Sequence, residues 1–211
     1  MPPAAPQPAA DRRRIAKMAD NLVECNPGMD YSAFHLINQL AGHFSPADDF
    51  MKAMAQYGVL LFMVPLLFMW FRGSVSDKKA ALLALLAMVI ALLIGQVITH
   101  LYMRPRPFVY HQVNQLISHS KDPSFPSDHT LFSFGLAGVI LLANRRWGIV
   151  SIVLGCVIAF SRVFVGVHYP GDVIGAAVIG LISAVAVWQA RGVLDPVLNF
   201  LIGIAHRLKL A

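Results

Sequence analysis

Residues 159–176, which read AFSRVFVGVHYPGDVIGA, place three polar side chains that can do chemistry inside an otherwise apolar part of the chain. His168 and Asp172 are four residues apart, the spacing at which side chains meet on one face of a helix. A carboxylate that accepts a hydrogen bond from one imidazole nitrogen fixes the tautomer and leaves the other nitrogen exposed. We therefore predict that Asp172 prepares His168 as a nucleophile or general base, with Arg162 close by. Taken alone, the stretch is equally well explained by an arginine and a histidine at a membrane interface.

A second polar group, KDPSFPSDHT at residues 121–130, is followed directly by a long apolar run. Ser127 is placed as the N-cap of a helix, with Pro126 just before it. The start of a helix presents free backbone N–H groups and a positive dipole end, which together bind anions. His129 falls in the first turn of this helix, so we expect it to lie beside a bound anion. A plain helix-capping motif is the alternative interpretation of the same residues.

A third polar group, THLYMRPRPF at residues 99–108, contains Arg104 and Arg106, each followed by a proline. The guanidinium group is a planar fork of donors that matches phosphate oxygens. We expect Arg106 to bind an anion, whereas Arg104 also fits an interfacial basic anchor. Two or more arginines in one cluster would repel a divalent cation, and the carboxylates are too few for Mg²⁺. The three groups together predict a site for a phosphate, with no metal and no cofactor.

The composition indicates a membrane protein. The chain has 211 residues, of which 57% are hydrophobic and 13% charged, whereas a soluble domain carries about 25% charged residues. The sequence therefore predicts an all-α, multi-pass transmembrane helical bundle in the bilayer, with no nucleic-acid partner. Its predicted spans are about residues 54–71, 80–99, 130–143 extended by its polar start, 147–166 and 173–190.

The charge of the loops between the predicted spans indicates how the bundle is oriented in the membrane. The connections RGSVSDKK and NRRW are basic, so the positive-inside rule places both in the cytoplasm. All three polar groups then lie on the opposite face of the membrane, periplasmic or extracellular. Their shared face is the reason to interpret them as one site rather than as three unrelated loops.

The two ends of the chain flank this bundle. We expect residues 1–28 to be a disordered tail, residues 29–190 to form one membrane domain and residues 191–211 to form an amphipathic helix. Residues 30–44 predict a further amphipathic helix at the interface. If residues 30–46 crossed the membrane instead, the basic residues near the N-terminus would reach the cytoplasm. The sequence leaves five or six spans, and the oligomeric state, open.

The quoted residues resemble the signature motifs of the type 2 phosphatidic acid phosphatase superfamily. The third motif of that family reads Ser-Arg, five residues, His, three residues, Asp. It is matched at every defined position, by Ser161, Arg162, His168 and Asp172. The resemblance covers roughly residues 30–190.

The other two motifs are matched with one departure each. The second reads Pro-Ser-Gly-His, and Asp128 stands in place of its glycine. The first reads Lys, six residues, Arg-Pro, and Thr99 stands where the lysine is expected, seven residues before Arg106. His100 or Arg104 is the candidate to replace that cation.

The resemblance implies an enzyme that hydrolyses a lipid phosphate through a phosphohistidine. His168 would attack phosphorus, Asp172 would orient it, and His129 would protonate the leaving oxygen and then activate water. The implied substrate-binding residues are Arg104, Arg106, Ser127, Asp128, Ser161 and Arg162.

Within the superfamily, the motifs are most similar to the bacterial undecaprenyl pyrophosphate phosphatases of the bacitracin-resistance type. This similarity implies a polyprenyl diphosphate substrate, the cell-wall carrier lipid of peptidoglycan biosynthesis, on the outer face of the cytoplasmic membrane. Phosphatidate, phosphatidylglycerol phosphate, a lipid A phosphate and transfer to a lipid acceptor are the alternatives. A transporter fits less well, because its polar residues would lie near the bilayer midplane rather than at one face.

Overall fold

The computed structural model describes residues 28–208, which form helices, turns and loops without a β-strand. In chain order the helices are α1 (Met29–Asn38), α2 (Ser45–Tyr57), α3 (Met63–Phe71), α4 (Val75–Leu101), α5 (Pro107–Tyr110), α6 (Asp128–Ala143), α7 (Arg145–Phe164), α8 (Pro170–Gln189) and α9 (Arg191–Arg207), with a 3₁₀ segment, Gly58–Phe62, between α2 and α3. The expected all-α bundle is confirmed. Residues 1–27 of the predicted tail lie outside the described part of the chain.

Within residues 28–208, four helical segments are long and apolar enough to cross a membrane. They are Ser45–Phe71, Val75–Leu101, Arg145–Phe164 and Pro170–Gln189. The predicted span at residues 130–143 corresponds to α6, which has 16 residues. Its length of about 24 Å is less than the ~30 Å of hydrocarbon in a bilayer. The third predicted span is therefore shorter than a full crossing.

Helix α6 lies at the centre of the bundle, where it packs against α4, α7 and α8. Nearly every residue from Thr130 to Ile140 is buried, so this helix is surrounded by protein. The buried face of α4 is a stripe of small residues at a spacing of three or four, namely Ala80, Ala84, Ala87, Ala91 and Gly95. Small residues at helix contacts let the backbones approach closely, and this brings α4 and α6 together.

The first span is interrupted in its middle. Pro65 has no N–H to donate to the carbonyl four residues earlier, and the segment just before it, Gly58–Phe62, takes 3₁₀ geometry. Helix α2 ends at Tyr57, and the N–H of Gly58 donates to the carbonyl of Met54 in its last turn. The next carbonyl, that of Ala55, accepts a hydrogen bond from Nη1 of Arg162 at 2.8 Å.

Helix α1 is shorter than the helix expected over residues 30–44. Its 10 residues span about 15 Å, too little to cross a bilayer, and the structure therefore favours five membrane-embedded segments over six. The helix packs against α7 and α8, and Phe34 is buried against Tyr169 with their ring centroids 5.6 Å apart. Asn38 is buried as well, because its amide donates to the backbone carbonyls of Asn114 and Phe164.

The C-terminal segment forms α9 over Arg191–Arg207. Leu198, Ile202 and Ala205 are buried on one face of this helix, whereas Val193 is largely exposed. Residues 209–211 lie outside the described part of the chain.

A substitution at Gly135 of α6 tests whether α4 and α6 need to pack as closely as the structure shows. A Cβ at this position would lie 2.8 Å from Cα of Met88, and a backbone atom cannot turn away as a side chain can. We expect Gly135→Ala to destabilise the protein by about 1–3 kcal/mol and to lower its melting temperature. Gly203→Ala in α9 is the matched control, because no described atom lies within 4 Å of an added Cβ there. Thermal unfolding in detergent compares them, and equal melting temperatures would contradict the close packing.

Candidate active site

Backbone hydrogen bonds join the three polar groups of the sequence at one end of the bundle. The N–H of Ser124 donates to the carbonyl of Arg104 at 2.7 Å, which links the second group to the first. The N–H of Ser127 donates to the carbonyl of Asp172 at 3.4 Å, which links the second group to the third. The shared location that the topology argument predicts is therefore realised in the fold.

A cavity of about 390 Å³ lies where these groups meet, between the end of α4 and the start of α6. Its lining includes five residues that the sequence singles out, Arg106, Asp128, His129, Arg162 and His168. Only 4% of Arg106 and 3% of Arg162 is exposed. Buried charges are costly unless they are paired, so a cavity with two buried guanidinium groups is suited to an anion.

His168 lies in the turn between α7 and α8, and its ring is held in one tautomer. Nδ1 is 2.8 Å from the carbonyl oxygen of Ser124, so this nitrogen carries the proton. Nε2 is 3.1 Å from Nη1 of Arg106, and because a guanidinium only donates, Nε2 accepts with its lone pair. The structure thus keeps Nε2 unprotonated, which is the state that a nucleophile needs.

The carboxylate of Asp172 is fully buried and binds three donors. Oδ1 accepts from Nη1 of Arg104 at 2.9 Å. Oδ2 accepts from the N–H of Tyr169 at 2.8 Å and from the hydroxyl of Ser124. Nδ1 of His168 is 3.6 Å from Oδ2. The expectation that Asp172 itself fixes the His168 tautomer is therefore corrected, because the Ser124 carbonyl is the closer acceptor and Asp172 contributes negative charge beside the ring.

Arg106 is fixed from two sides. Its Nε donates to the carbonyl of Asp122 at 3.1 Å, and its Nη2 donates to Oδ2 of the same residue at 3.1 Å. Its Nη1 donates to the carbonyl of Val167 at 3.0 Å. The sequence did not single out Asp122, although it lies in the second polar group, because no local pattern shows that its side chain reaches Arg106.

Arg162 is held by a single backbone contact, the one to Ala55. Its Nε is buried and makes no hydrogen bond with any described residue. Buried polar groups in folded proteins are nearly always hydrogen-bonded, so an unused guanidinium donor beside the cavity is suited to an oxygen of an anionic ligand.

A glycine and an asparagine shape the turn that carries His168. Gly166 has a φ of 86°, in the left-handed region that glycine adopts without strain. A Cβ at Gly166 would lie 2.9 Å from the carbonyl oxygen of Asn114. Nδ2 of Asn38 donates to the carbonyl of Phe164 at 2.8 Å and to that of Asn114 at 3.0 Å. Helix α1 therefore braces the turn against the long loop between α4 and α6.

Ser127 takes the expected N-cap position of α6, but its side chain makes no capping hydrogen bond. Its hydroxyl accepts from that of Thr130 at 3.2 Å. Asp128 and His129 follow as the first two helical residues and line the cavity. Their N–H groups have no acceptor within the helix, so these two residues, rather than the Ser127 hydroxyl, offer free donors to an anion at this helix start.

Two predicted substrate-binding residues do not reach the cavity. The hydroxyl of Ser161 donates to the carbonyl of Ile158 in its own helix at 2.7 Å, a common local bond of helical serines. The guanidinium of Arg104 lies between the carboxylates of Asp172 and Asp30. Both expectations are corrected, because each side chain has a closer partner within the protein.

The residue at the position of the missing lysine and the residue after it both lie at the cavity. Thr99 lines the cavity, and its hydroxyl donates to the carbonyl of Phe125 at 3.2 Å. His100 also lines the cavity, with Nδ1 2.7 Å from the carbonyl of Gln96. A fourth imidazole at the cavity, His119, was not found by sequence reasoning, because its loop has no recognisable pattern. Its ring centroid is 6.4 Å from that of His168, and it lines the same cavity.

The protonation of the loop residues follows from their surroundings. Burial lowers the pKa of His168 to about 4, so its ring is neutral at physiological pH. Burial, and next the charge of Arg106, lower the pKa of His119 below its ordinary value. Burial alone would raise the pKa of Asp122, but hydrogen bonds from Ser120 and Arg106 outweigh it and hold the pKa at about 2. Asp122 therefore stays charged and keeps Arg106 in place.

A buried neutral histidine, a second histidine and two buried arginines around one cavity are groups that phosphoryl transfer uses. The family model of the PAP2 superfamily matches residues 80–194. The chain belongs to this superfamily, and the resemblance inferred from the three motifs is confirmed.

Individual relatives agree with this assignment. The chain is 35% identical over 176 residues to the undecaprenyl-diphosphatase BcrC of Bacillus subtilis, covering 83% of this chain and 91% of the relative. It is 37% identical over 139 residues to the putative undecaprenyl-diphosphatase YbjG of Escherichia coli, covering 63% and 70%. The crystal structure of Aquifex aeolicus LpxE superposes with a TM-score of 0.66 at 25% identity, covering 77% of this chain and 96% of that one.

The protonation state of His168 is open to direct measurement. We expect its ring to remain neutral through pH 5.5, because burial lowers its pKa to about 4, whereas a solvent-exposed histidine is half protonated at about pH 6.5. Nuclear magnetic resonance of protein labelled at histidine nitrogens follows the titration, and His168→Ala assigns the signal. A His168 signal that titrates at or above pH 6.5 would contradict the described burial.

Proposed function

We propose that the protein hydrolyses undecaprenyl diphosphate to undecaprenyl phosphate and inorganic phosphate in a bacterial cytoplasmic membrane. The names of the relatives support the substrate, and the cavity supports the chemistry. The alternative is the same reaction on another lipid phosphate, such as phosphatidate, phosphatidylglycerol phosphate or a lipid A phosphate.

The observation that carries this proposal is a polar cavity joined to an apolar groove. The groove, of about 230 Å³, is lined by Val59, Leu92 and Phe132, and it shares Asp128 and His129 with the polar cavity. A ligand with a highly charged head and a long hydrocarbon chain fits such a pair. The diphosphate occupies the polar cavity and the polyprenyl chain leaves along the groove into the bilayer.

The first chemical step is attack by His168. Its Nε2 lone pair forms a bond to the terminal phosphorus, and the bond from that phosphorus to the bridging oxygen breaks. Arg106 keeps its place and loses only its hydrogen bond to Nε2, so that Nη1 donates to a phosphoryl oxygen instead, while the Nε of Arg162 donates to another. The negative charge of the bound diphosphate lets His129 take up a proton, and His129 gives this proton to the bridging oxygen, which leaves as part of undecaprenyl phosphate.

The second step returns the enzyme to its starting state. His129, now neutral, accepts a proton from a water molecule as the water oxygen attacks phosphorus. The bond between Nε2 of His168 and phosphorus breaks, and inorganic phosphate leaves. The negative charge of Asp172 stabilises the positive ring of the phosphohistidine between the two steps. The backbone N–H groups of Asp128 and His129 are further donors for the phosphoryl oxygens.

The substrate assignment is tested with purified protein and matched lipids. We expect phosphate release from undecaprenyl diphosphate to exceed that from phosphatidate and phosphatidylglycerol phosphate. We expect His168→Ala to lower the rate more than about 10³-fold, because the nucleophile is lost. His206→Ala, an exposed histidine of α9, is the control and keeps the activity. Turnover of phosphatidate alone would overturn the substrate, and release that survives His168→Ala would overturn the nucleophile.

The same assay examines the predicted metal-free mechanism. Vanadate imitates a five-coordinate phosphoryl centre, and it is expected to inhibit. EDTA is expected to leave the rate unchanged, and a strict requirement for a divalent ion would count against the arginine-based site.

The site faces the outside of the cell in this proposal, with the basic connections in the cytoplasm. In a background without Cys25 and Cys156, we expect Gln112→Cys to react with a membrane-impermeant maleimide on intact cells. Ser76→Cys, at a residue that is also exposed in the fold, is expected to react only after the cells are permeabilised. The reverse pattern would show that the site faces the cytoplasm.

A further inference from the structure

Asp172 depends on a second charged residue. Its fully buried carboxylate would lose its charge, or destabilise the fold, without a cationic partner. Nη1 of Arg104 is that partner, 2.9 Å from Oδ1. The guanidinium also stacks on the ring of Tyr169, with 4.1 Å from its central carbon to the ring centroid. Arg104 is therefore held by Asp172 and Tyr169, outside the cavity.

The guanidinium of Arg104 also pairs with a second carboxylate, near the start of α1. Its Nη2 is 2.5 Å from Oδ2 of Asp30. The other oxygen of Asp30 accepts the N–H of Gly171 at 2.7 Å, at the start of α8. Asp30, Arg104 and Asp172 form one continuous chain of ion pairs, and only the last of the three is near His168.

The charges of this chain do not cancel. Two carboxylates and one guanidinium leave one negative charge. If Arg104 bound Asp172 alone, the pair would be neutral and would offer little to the positive ring of a phosphohistidine. Because Asp30 takes up part of the guanidinium charge, Asp172 keeps negative character beside His168. Charge placed in advance where charge develops is an effective form of catalysis.

Gly171 leaves room for this arrangement. A Cβ at Gly171 would lie 2.8 Å from Oδ2 of Asp30 and 3.3 Å from its Cγ. The aspartate side chain is short and bound at both oxygens, so it has little freedom to move away. This contact gives a reason for the glycine within the stretch HYPGD.

We propose that Asp30 and Arg104 are positioning residues that hold Asp172 in place and keep it negative for the phosphohistidine on His168. The inference rests on the proposed phosphatase function and deepens it. It assigns Arg104 to the support of the nucleophile, and it gives α1 a role in catalysis that its position at the edge of the bundle does not suggest.

The first test compares Asp30→Asn with Asp48→Asn in the full-length protein. Asp48 is the matched control, because its carboxylate likewise accepts a backbone N–H, from Gly42 at 3.0 Å, but does not contact the site. We expect Asp30→Asn to lower kcat about tenfold, as losses of orienting partners do, with KM within about twofold. Gly171→Ala should reproduce this loss. Asp48→Asn should keep kcat whether or not it lowers the melting temperature.

The pH profile separates an electrostatic role from a merely structural one. His168 attacks in its neutral form, so kcat/KM falls at acidic pH with the pKa of the free enzyme. Removing negative charge with Asp30→Asn should move this acidic limb to lower pH, and removing positive charge with Arg104→Gln should move it to higher pH. Each shift should be roughly half a unit, below the one to three units of a directly adjacent charge. Arg104→Lys should restore part of the kcat lost in Arg104→Gln.

The other charged or titratable groups around His168 are the same in every variant. They are Arg106, Arg162, His119, His129, Asp122, Asp128 and Asp172. Opposite shifts for Asp30→Asn and Arg104→Gln therefore report the ion-pair chain itself.

All variants are assayed on undecaprenyl diphosphate and on phosphatidate. If the wild type acts only on phosphatidate, the proposed substrate fails and the comparison of variants is made on phosphatidate. The inference fails, while the proposed function stands, if the wild type is active and Asp30→Asn keeps kcat as Asp48→Asn does. It also fails if the acidic limbs of Asp30→Asn and Arg104→Gln move in the same direction. A wild type that is inactive on both lipids overturns both.

Discussion

The buried carboxylate of Asp172 is the constraint on which the architecture of the site depends. A buried charge is tolerated only with several good donors, and its donors come from separate parts of the chain. Arg104 precedes α5, Ser124 lies in the loop before α6, and the N–H of Tyr169 lies in the turn before α8. Satisfying one carboxylate therefore brings together the three polar groups that the phosphatase chemistry needs.

The two buried arginines are held in different ways, and the difference suits their tasks. Arg106 is clamped by Asp122 and Val167, so its position beside His168 is set before any ligand arrives. Among residues 28–208, Arg162 has one backbone acceptor, and its buried Nε has none. A fixed donor orients the phosphoryl group, and a donor without a protein partner gains a full hydrogen bond from it.

The bundle makes this concentration of charge possible. Helix α6 is short and enclosed by α4, α7 and α8, so its N-terminus lies among protein groups rather than lipid. The small residues of α4 let that helix approach, and its last turn forms one wall of the cavity. Backbone N–H groups at the start of α6 are thereby directed to the same place as the arginines and histidines.

Composition, apolar periodicity and motif spacing were sufficient to predict the helical bundle, the location of the polar groups on one face and the identity of His168, His129 and Arg162 as cavity residues. These are local or pairwise properties of the chain, because hydrophobic runs and helix starts depend on neighbouring residues. The partners of those residues were decided only by the tertiary structure. Ser124 fixes the His168 tautomer, and Asp122 holds Arg106. His119 joins the cavity, and Arg104 binds Asp30. All four contacts join residues far apart in sequence. Such contacts follow from how the helices pack, and no local pattern of residues encodes them.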